Sequence, residues 1–230
     1  MATQIAGNAK NILVGASPLF ISNVDVTDAD YVENAEAGTV AAGAAFAEGV
    51  SYTTTLNGVT TTTTPDFYYR NVGYTNNGLQ ITYNPSYGSV TVDQLLDTAK
   101  LFKESMEVMI ATEMAEGTLE NVLAVFGQRS STLASTGTGL TATDKLGLAG
   151  GALGEAPTER QLIAVGNAPT SEATATERVY YARRVLSVQQ SQFSLARNAA
   201  STFPVTFRLL PDGAKIGQEY GFIVDRVLTV

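Results

Sequence analysis

The side chains best suited to chemistry in this sequence are two pairs of glutamates, Glu104 with Glu107 and Glu113 with Glu116. Two carboxylates can divide acid and base work between them when their side chains converge. The residues around Glu104 alternate as in a strand, where positions three apart point to opposite faces. Glu113 and Glu116 flank the predicted end of that strand. We therefore predict no catalytic site and interpret these carboxylates as solvated groups that tune surface charge.

A second acidic group, Asp25, Asp28 and Asp30, offers the oxygen ligands that Ca²⁺ prefers. An EF-hand loop needs a glycine at its sixth position and a glutamate at its twelfth. Counted from Asp25, the sixth position is Asp30 and the twelfth is Glu36, so the glycine is missing. The sequence therefore favours an acidic surface loop and predicts no metal site.

The composition removes several other kinds of chemistry. The chain contains no histidine and no cysteine, which excludes a Ser–His–Asp triad, a thiol nucleophile and thiolate metal sites. The glycines of residues 137–154 match neither the P-loop nor the dinucleotide-binding pattern. We therefore predict that the protein is not an enzyme and that it holds no cofactor.

Charge is distributed unevenly along the chain. The 22 acidic and 14 basic side chains give a net charge of −8, and the only basic residues before position 100 are Lys10 and Arg70. This half lacks the basic patch that holds phosphates, so specific binding of nucleic acid is not expected. The sequence also shows no secretory signal and no apolar run long enough to span a bilayer, so we expect a soluble protein without membrane insertion.

Alternation of apolar and polar residues predicts several strands, of which the clearest are Leu79–Tyr83, Phe102–Met114 and Phe203–Leu210. In the second of these, one face carries Met106, Val108, Ile110, Thr112 and Met114, and the other carries Ser105, Glu107, Met109, Ala111 and Glu113. Further strands are predicted at Leu19–Ile21, Gln161–Val165, Arg178–Val188 and Glu219–Val230.

One short helix is predicted after the long strand. Thr118 is a good N-cap and Gly127 is a natural stop. Four apolar residues between them share one face at helical spacing, and we expect that face to lie on a sheet: Leu119, Val122, Leu123 and Phe126.

Two polar segments interrupt the strands. Residues 23–66 are acidic and rich in threonine, and Asn57-Gly58 within them is a hairpin signal, so a hairpin and a loop are both open interpretations. Residues 129–158 are predicted to be a polar loop. The predicted fold is one mainly β domain over 1–230, with two packed antiparallel sheets in a sandwich or partial barrel, one flanking helix and long loops.

Five tyrosines lie within one stretch of twenty residues, 68–87. Aromatic residues on strands pack in the core or across strands, and they also form subunit interfaces. Both roles are open for this set: Tyr68, Tyr69, Tyr74, Tyr83 and Tyr87.

The order of these elements resembles the major tail tube proteins of long-tailed bacteriophages. The resemblance covers about 67–127 and 200–230 and rests on five segments: Val72–Leu79, Phe102–Glu113, Thr118–Leu123, Phe203–Asp212 and Tyr220–Arg226. The segments 23–66 and 129–158 depart from the compact pattern of that family.

The resemblance implies a structural virion protein, located in the tail, whose homohexameric rings stack into a hollow tube for DNA delivery. It implies other copies of the chain, the tape-measure protein and other tail proteins as partners, with DNA passing through unbound. The residues around 84–100 match the loop by which the family reaches the neighbouring ring, with five candidate contacts: Asn84, Tyr87, Asp93, Asp97 and Lys100.

The lumen of such a tube gives the long strand a second role. If its odd-numbered face lines the lumen, Glu107 and Glu113 recur in every subunit as acidic rings that repel phosphates over about 8–10 Å. Three alternatives stay open: a host-attachment or carbohydrate-binding β-sandwich, another tail component such as a tail-end adaptor, and a carboxylate hydrolase.

Overall fold

Strands dominate the chain. The computed structural model describes residues 15, 17–29, 31, 52–56, 59–63, 69–94, 97–137, 143–169, 176–189, 191–193, 197 and 200–227. The strands are β1 (Leu19–Ser22), β2 (Tyr52–Leu56), β3 (Val59–Thr63), β4 (Tyr69–Asn71), β5 (Thr75–Thr91), β6 (Thr98–Met114), β7 (Leu133–Thr136), β8 (Thr143–Leu146), β9 (Arg160–Asn167), β10 (Thr176–Ser187), β11 (Phe203–Leu209) and β12 (Gly221–Val227). Helix α1 spans Leu119–Val125, and a 3₁₀ turn covers Ser130–Thr132.

Eight strands form one antiparallel sheet in the order β4-β1-β9-β10-β11-β6-β5, with β12 paired to β10. The pairing of strand β10 is irregular between Ala182 and Val185. The residues of β10 up to Ala182 pair with β12, and those from Val185 onward pair with β11. Strands β2 with β3 and β7 with β8 form two separate hairpins. In the part of the chain that the structure describes, no ladder joins β4 to β5, so the sheet does not close into a barrel.

The large sheet folds over so that its two halves share one core. Leu19 on β1 and Leu162 on β9 belong to the same buried cluster as Val108 on β6 and Phe207 on β11. Residues brought together from distant strands in this way form two packed layers. The predicted mainly β class, with packed antiparallel layers and one short flanking helix, is confirmed.

The alternation predicted for the long strand is confirmed over its second half. Val108, Ile110 and Met114 are buried, whereas Glu107 and Glu113 on the opposite face are half-buried. Strand β11 alternates in the same way. Pro204, the second residue of β11, faces away from β6. The carbonyl of Thr206, two residues further on and therefore on the same side of the strand, accepts a hydrogen bond from the amide of Val188 at 3.2 Å.

Helix α1 begins and ends where the sequence predicts. The Thr118 hydroxyl accepts a hydrogen bond from the amide of Asn121 at 3.3 Å, and Gly127 adopts the left-handed conformation with φ of 62°. Asn121 is itself buried, and its side-chain amide donates to the carbonyls of Val72 (2.8 Å) and Glu116 (2.9 Å). A polar side chain therefore joins the helix to the chain that leads into β5.

The pairing corrects one prediction about the polar segments and decides between the two interpretations left open for the other. The segment 129–158, predicted to be a loop, contains the β7–β8 hairpin, in which Leu133 lies opposite Leu146. Both strands are largely exposed, so they lack the one-sided apolar pattern by which a strand is recognised. In the threonine-rich stretch, β2 and β3 pair from Tyr52 with Thr63 to Leu56 with Val59, which matches the hairpin interpretation.

The segment after β1 is partly the surface loop that the sequence favours, since Val26 and Thr27 are exposed and Asp28 is half-buried, but Asp25 is not a surface group. Asp25 is fully buried, and its carboxylate accepts hydrogen bonds from the amide of Thr27 (2.9 Å), the hydroxyl of Thr27 (2.5 Å) and the amide of Ser130 (2.7 Å). The guanidinium of Arg160 lies 3.9 Å away. Asp30 lies outside the described residues. No group of residues suited to a metal ion is found among the described residues, and no described helix is long and apolar enough to cross a bilayer.

Arg160 extends this cluster across three segments of the chain. Its Nη1 donates to the carbonyls of Ser22 (2.8 Å) and Asn23 (3.1 Å), and its Nη2 donates to the carbonyl of Gln128 (3.2 Å) and the hydroxyl of Ser130 (3.0 Å). The end of β1, the end of α1 and the start of β9 therefore meet at one buried ion pair.

We predict that this cluster makes the free energy of unfolding depend on pH in the acidic range. Burial works to raise the pKa of Asp25, but the hydrogen bonds from Thr27 and Ser130 outweigh it and hold the pKa below its ordinary value. The stabilisation is therefore complete above the unfolded pKa, about 4, and is lost as the pH falls through the lower folded pKa. Asp25→Asn should lower the free energy of unfolding at pH 7 by about 1.5–3 kcal/mol.

Urea unfolding between pH 2.5 and 7 measures this effect. The difference between the native protein and Asp25→Asn should shrink as the pH falls. Asp144→Asn, on the exposed strand β8, is the control. A constant difference across the pH range would show that Asp25 does not carry the acid dependence.

Candidate assembly surface

The most exposed ordered part of the molecule is the outer half of the β5–β6 hairpin. We call this the arm, defined as residues 84–94 and 97–106. Strand β11 pairs with β6 only between Met109 and Met114, so only β5 accompanies β6 beyond that point. Among the described residues of the arm, all are exposed except Gly88 and Met106, which are half-buried.

The arm corrects the prediction of a loop at 84–100. Asn84 and Tyr87 lie on β5, Lys100 lies on β6, and Asp93 and Asp97 belong to the connection between the strands. Pairing continues to Val90 with Lys100 and Thr91 with Thr98. A hairpin exposed on both faces has no buried stripe, so hydrophobic periodicity cannot indicate its strands. All five residues predicted to reach a neighbouring ring are nevertheless carried by this arm.

Exposed apolar side chains lie on both faces of the arm. Residues that are directly opposite in an antiparallel pair share a face, and successive residues alternate between faces. Tyr87 (59% exposed) and Leu101 (64%) therefore lie on one face, and Phe102 (46%) and Val90 (43%) lie on the other.

Gly88 lies opposite Phe102 and gives that ring its position. A Cβ atom at Gly88 would collide with the ring of Phe102 and with the carboxylate of Glu104. The absence of a side chain at position 88 therefore allows both groups to lie across the neighbouring strand. Phe102 presents one side of its ring to solvent as a result.

The base of the arm is held against the body of the protein. The hydroxyl of Tyr220 donates to the carbonyl of Met106 at 3.1 Å. A small aromatic cleft lies between β12 and the parts of β5 and β6 next to the arm, and its lining includes Tyr83, Tyr180, Tyr220, Phe222 and Ile223. Ile223 is 54% exposed, so the cleft is open to solvent at β12.

The structure places one of the five tyrosines in the core and leaves three exposed. Tyr69 is buried, and its hydroxyl donates to Gln161 Oε1 at 2.7 Å, so it belongs to the core. Tyr74, Tyr83 and Tyr87 are 81%, 55% and 59% exposed, so none of them is a core residue. Tyr68 lies outside the described residues.

The predicted lumen-facing carboxylates share one face of β6 but have different surroundings. Glu107 is partly exposed and lies 3.5 Å from the guanidinium of Arg208 on β11. Glu113 accepts hydrogen bonds from Asn76 (3.2 Å), Asn77 (2.7 Å) and Thr202 (2.5 Å). Glu113 is therefore a structural group that holds the turn of β5 against β6, a role that no local sequence pattern indicates.

The second carboxylate of that pair is engaged elsewhere. Glu116 accepts a hydrogen bond from the amide of Tyr74 at 2.9 Å. Glu113 and Glu116 thus hold different segments of the chain. Their separate hydrogen-bond partners agree with the interpretation that they do not act as a catalytic pair.

A polar cavity of about 320 Å³ lies beside Glu113, with Gln80, Gln189 and Thr206 among its lining residues. The amide and carboxylate groups here could hydrogen bond a small polar ligand such as a sugar. Its lining includes no aromatic ring on which a sugar could stack. The cavity is therefore a weaker candidate site than the arm.

The helix residues predicted to face the core differ in burial. Leu123 is buried, Leu119 and Val122 are half-buried, and Phe126 is 37% exposed. Phe126 is the C-cap residue, and its ring lies 6.1 Å from that of Phe193. The other buried residues of the helix are Asn121, Ala124 and Val125.

Comparison of the sequence with known proteins assigns no family. No protein-family model matches the chain, and no curated protein matches it.

Glu113 and Glu107 have different surroundings on β6, so we predict that replacing them lowers the free energy of unfolding by different amounts. Glu113→Ala removes the acceptor of three hydrogen bonds, two of them exposed to water, and should lower the free energy of unfolding by about 1–2 kcal/mol. Glu107→Ala removes one partly exposed ion pair and should lower the free energy of unfolding by about 1 kcal/mol or less. Urea unfolding monitored by circular dichroism measures both, and equal costs would contradict the structural role of Glu113.

Proposed function

We propose that this protein is a structural virion protein that self-assembles into stacked hexameric rings, which form the hollow phage tail tube through which DNA is delivered. The observation that carries the proposal is the arm, an ordered hairpin that leaves the core with apolar side chains exposed on both faces. Monomeric soluble proteins rarely expose contiguous apolar patches beyond a few hundred Å². An ordered arm of this composition is typical of a subunit that other subunits cover.

The sheet edges also support assembly. Strand β5 ends one side of the large sheet and β4 ends the other. Open edges present unpaired amide and carbonyl groups, and closed arrangements of identical subunits are one way in which proteins cover exposed strands and faces. A cyclic ring places every copy in the same environment, so one arm per copy contacts the same surface throughout the assembly.

In this proposal the outer face of β6 and β11 lines the lumen, and Glu107 recurs there in every subunit. Its neighbour Arg208 offsets part of the negative charge, and Glu113 is engaged in hydrogen bonds. The resulting wall is polar and carries no run of cations that would hold phosphates. DNA would pass without specific binding, and the tape-measure protein would occupy the same lumen during assembly.

Assembly of the purified protein tests the proposal. Negative-stain microscopy should show rings or tubes, and sedimentation velocity should show oligomers that grow with concentration. The variant Leu101→Ser with Phe102→Ser removes an apolar group from each face of the arm and should sediment as a monomer, because assembly loses its buried apolar area.

A matched control separates this effect from a general change in surface polarity. Leu153→Ser replaces a fully exposed leucine outside the arm and should assemble as the native protein does. Circular dichroism should show the same strand content in all three proteins. A native protein that stays monomeric at high concentration and binds glycans would refute the tube and favour the carbohydrate-binding alternative.

The lumen assignment has its own prediction. Glu107→Lys should leave tubes intact but slow DNA ejection from assembled particles, because a ring of cations attracts phosphates. Asp144→Lys, on the exposed β8, adds the same charge elsewhere and should leave ejection unchanged. Equal ejection rates in both variants would remove Glu107 from the lumen.

A further inference from the structure

Strand β5 contains an asparagine followed by a glycine, Asn77 and Gly78, at a bulge near its start. The register of β5 against β6 shifts between Asn76 and Gln80, which marks the bulge. Asn77 and Gly78 both have positive φ, 61° and 67°, which asparagine and glycine adopt more readily than other residues. Both residues are exposed to solvent. This pair of residue types therefore has a structural reason to be here, and it also has a chemistry of its own.

An asparagine that precedes a glycine can lose its side-chain amide group. The backbone nitrogen of the glycine attacks the side-chain carbonyl carbon of the asparagine and gives up its proton. The bond from that carbon to the side-chain nitrogen breaks, and the nitrogen leaves as ammonia. Water then opens the resulting succinimide ring at either carbonyl, which leaves aspartate or isoaspartate. Glycine favours the reaction because it has no side chain to shield its nitrogen.

The side-chain amide of Asn77 is held by a carboxylate on the neighbouring strand. Its Nδ2 donates a hydrogen bond to Oε2 of Glu113 at 2.7 Å, and Oε1 of Glu113 accepts from the hydroxyl of Thr202 at 2.5 Å. The hydrogen bond restricts the rotation that brings the side-chain carbonyl carbon onto the nitrogen of Gly78. An ionised carboxylate only accepts hydrogen bonds, so it gives no proton to the departing nitrogen.

We propose that Asn77 is a deamidation site that Glu113 protects, and that deamidation opens the bulge. The reaction replaces the Nδ2 donor with a second carboxylate beside that of Glu113. The attraction across 2.7 Å then becomes a repulsion between like charges at short range. An isoaspartate also lengthens the main chain by one carbon and disturbs the register of β5. The loss of ammonia is not reversed in water, so the change is permanent.

The bulge is a place from which a local change spreads. Asn77 and Gly78 line both the polar cavity beside Glu113 and a second cavity of about 340 Å³, which Tyr180 also lines. The carbonyl of Gly78 accepts a hydrogen bond from the hydroxyl of Thr112 on β6 at 2.9 Å. Movement of the bulge therefore alters two cavities and the contact of β5 with β6.

Peptide mapping by mass spectrometry measures the reaction in purified protein kept in mildly alkaline buffer. Deamidation of Asn77 should be at least about fivefold faster in Glu113→Ala than in the native protein, because the side chain loses a hydrogen bond to a charged group. The chain has one other Asn-Gly pair, Asn57-Gly58, which lies outside the described residues. Its rate of deamidation should be the same in both proteins and serves as the internal reference.

Asp25→Asn controls for the loss of stability that Glu113→Ala also causes. It removes a buried hydrogen-bond acceptor far from the bulge in sequence, and it should deamidate at Asn77 as slowly as the native protein. Equal acceleration in both variants would show that the reaction follows general unfolding. Equal rates in Glu113→Ala and the native protein would also refute the protection by Glu113.

Asn77→Asp reproduces one product of the reaction and tests the opening of the bulge. It should unfold at a lower urea concentration than Asn77→Gly, which loses the same hydrogen bond without adding a charge and adopts positive φ. Added salt should reduce the difference by screening the two carboxylates. Combining Asn77→Asp with Glu113→Gln exchanges donor and acceptor and should move the midpoint back towards that of the native protein.

A midpoint of Asn77→Asp no lower than that of Asn77→Gly, or no recovery with Glu113→Gln, would refute the repulsion and with it the opening of the bulge. Neither experiment requires assembly, so both outcomes are independent of the proposed function.

Discussion

The backbone of β6 has two strand neighbours from Met109 to Met114 and only β5 from Thr98 to Val108. Over the first of these stretches one face is buried against the opposite layer, and over most of the second both faces meet solvent. One continuous strand thus passes from the core into the arm. The ladder of β5 and β6 fixes the direction of the arm, so its exposed side chains are held in place before any partner binds.

Polar contacts also hold β5 and β6 to each other and to the rest of the protein. Tyr220 holds the carbonyl of Met106, and Glu113 holds the side chains of Asn76 and Asn77 in the turn of β5. On the opposite layer, Arg160 and Asp25 join three segments of the chain at one buried ion pair. Such pairs contribute little net stability compared with apolar packing, but losing one partner is costly. They therefore specify how the segments fit together more than they drive folding.

The sequence predicts the elements whose patterns have a local physical cause. Strand β11 alternates because one face is buried, and α1 begins at Thr118 because its hydroxyl caps the helix. Neighbouring residues of a strand point to opposite faces, and Arg183 and Arg184 of β10 accordingly have different partners. Arg184 bonds Glu159 at 2.6 Å, and Arg183 is buried with its Nε on the carbonyl of Gln218 at 3.1 Å.

What the sequence does not reveal depends on partners distant along the chain. The burial of Asp25 requires Ser130 and Arg160, and the role of Glu113 requires Asn77 and Thr202. No spacing rule connects such residues, because each contact exists only after the sheet has formed. The part of the arm before Phe102 was predicted as a loop for a different reason: both of its faces are exposed, so its strands are indicated mainly by their pairing.

A subunit with exposed apolar side chains on a free sheet edge faces two opposing requirements, since the groups that allow ordered assembly also allow aggregation. In the arm, the groups available for ordered assembly lie on the faces, and the groups that allow aggregation lie along the edge. Pro85 lies on the edge strand β5 and has no N–H group to offer an added strand, and the net charge of −8 opposes random collisions between copies. Face contacts need matching shapes, which only a correctly oriented copy supplies, whereas edge pairing accepts almost any extended chain. A hairpin that blocks its edge and exposes its faces therefore favours the specific contact over the promiscuous one.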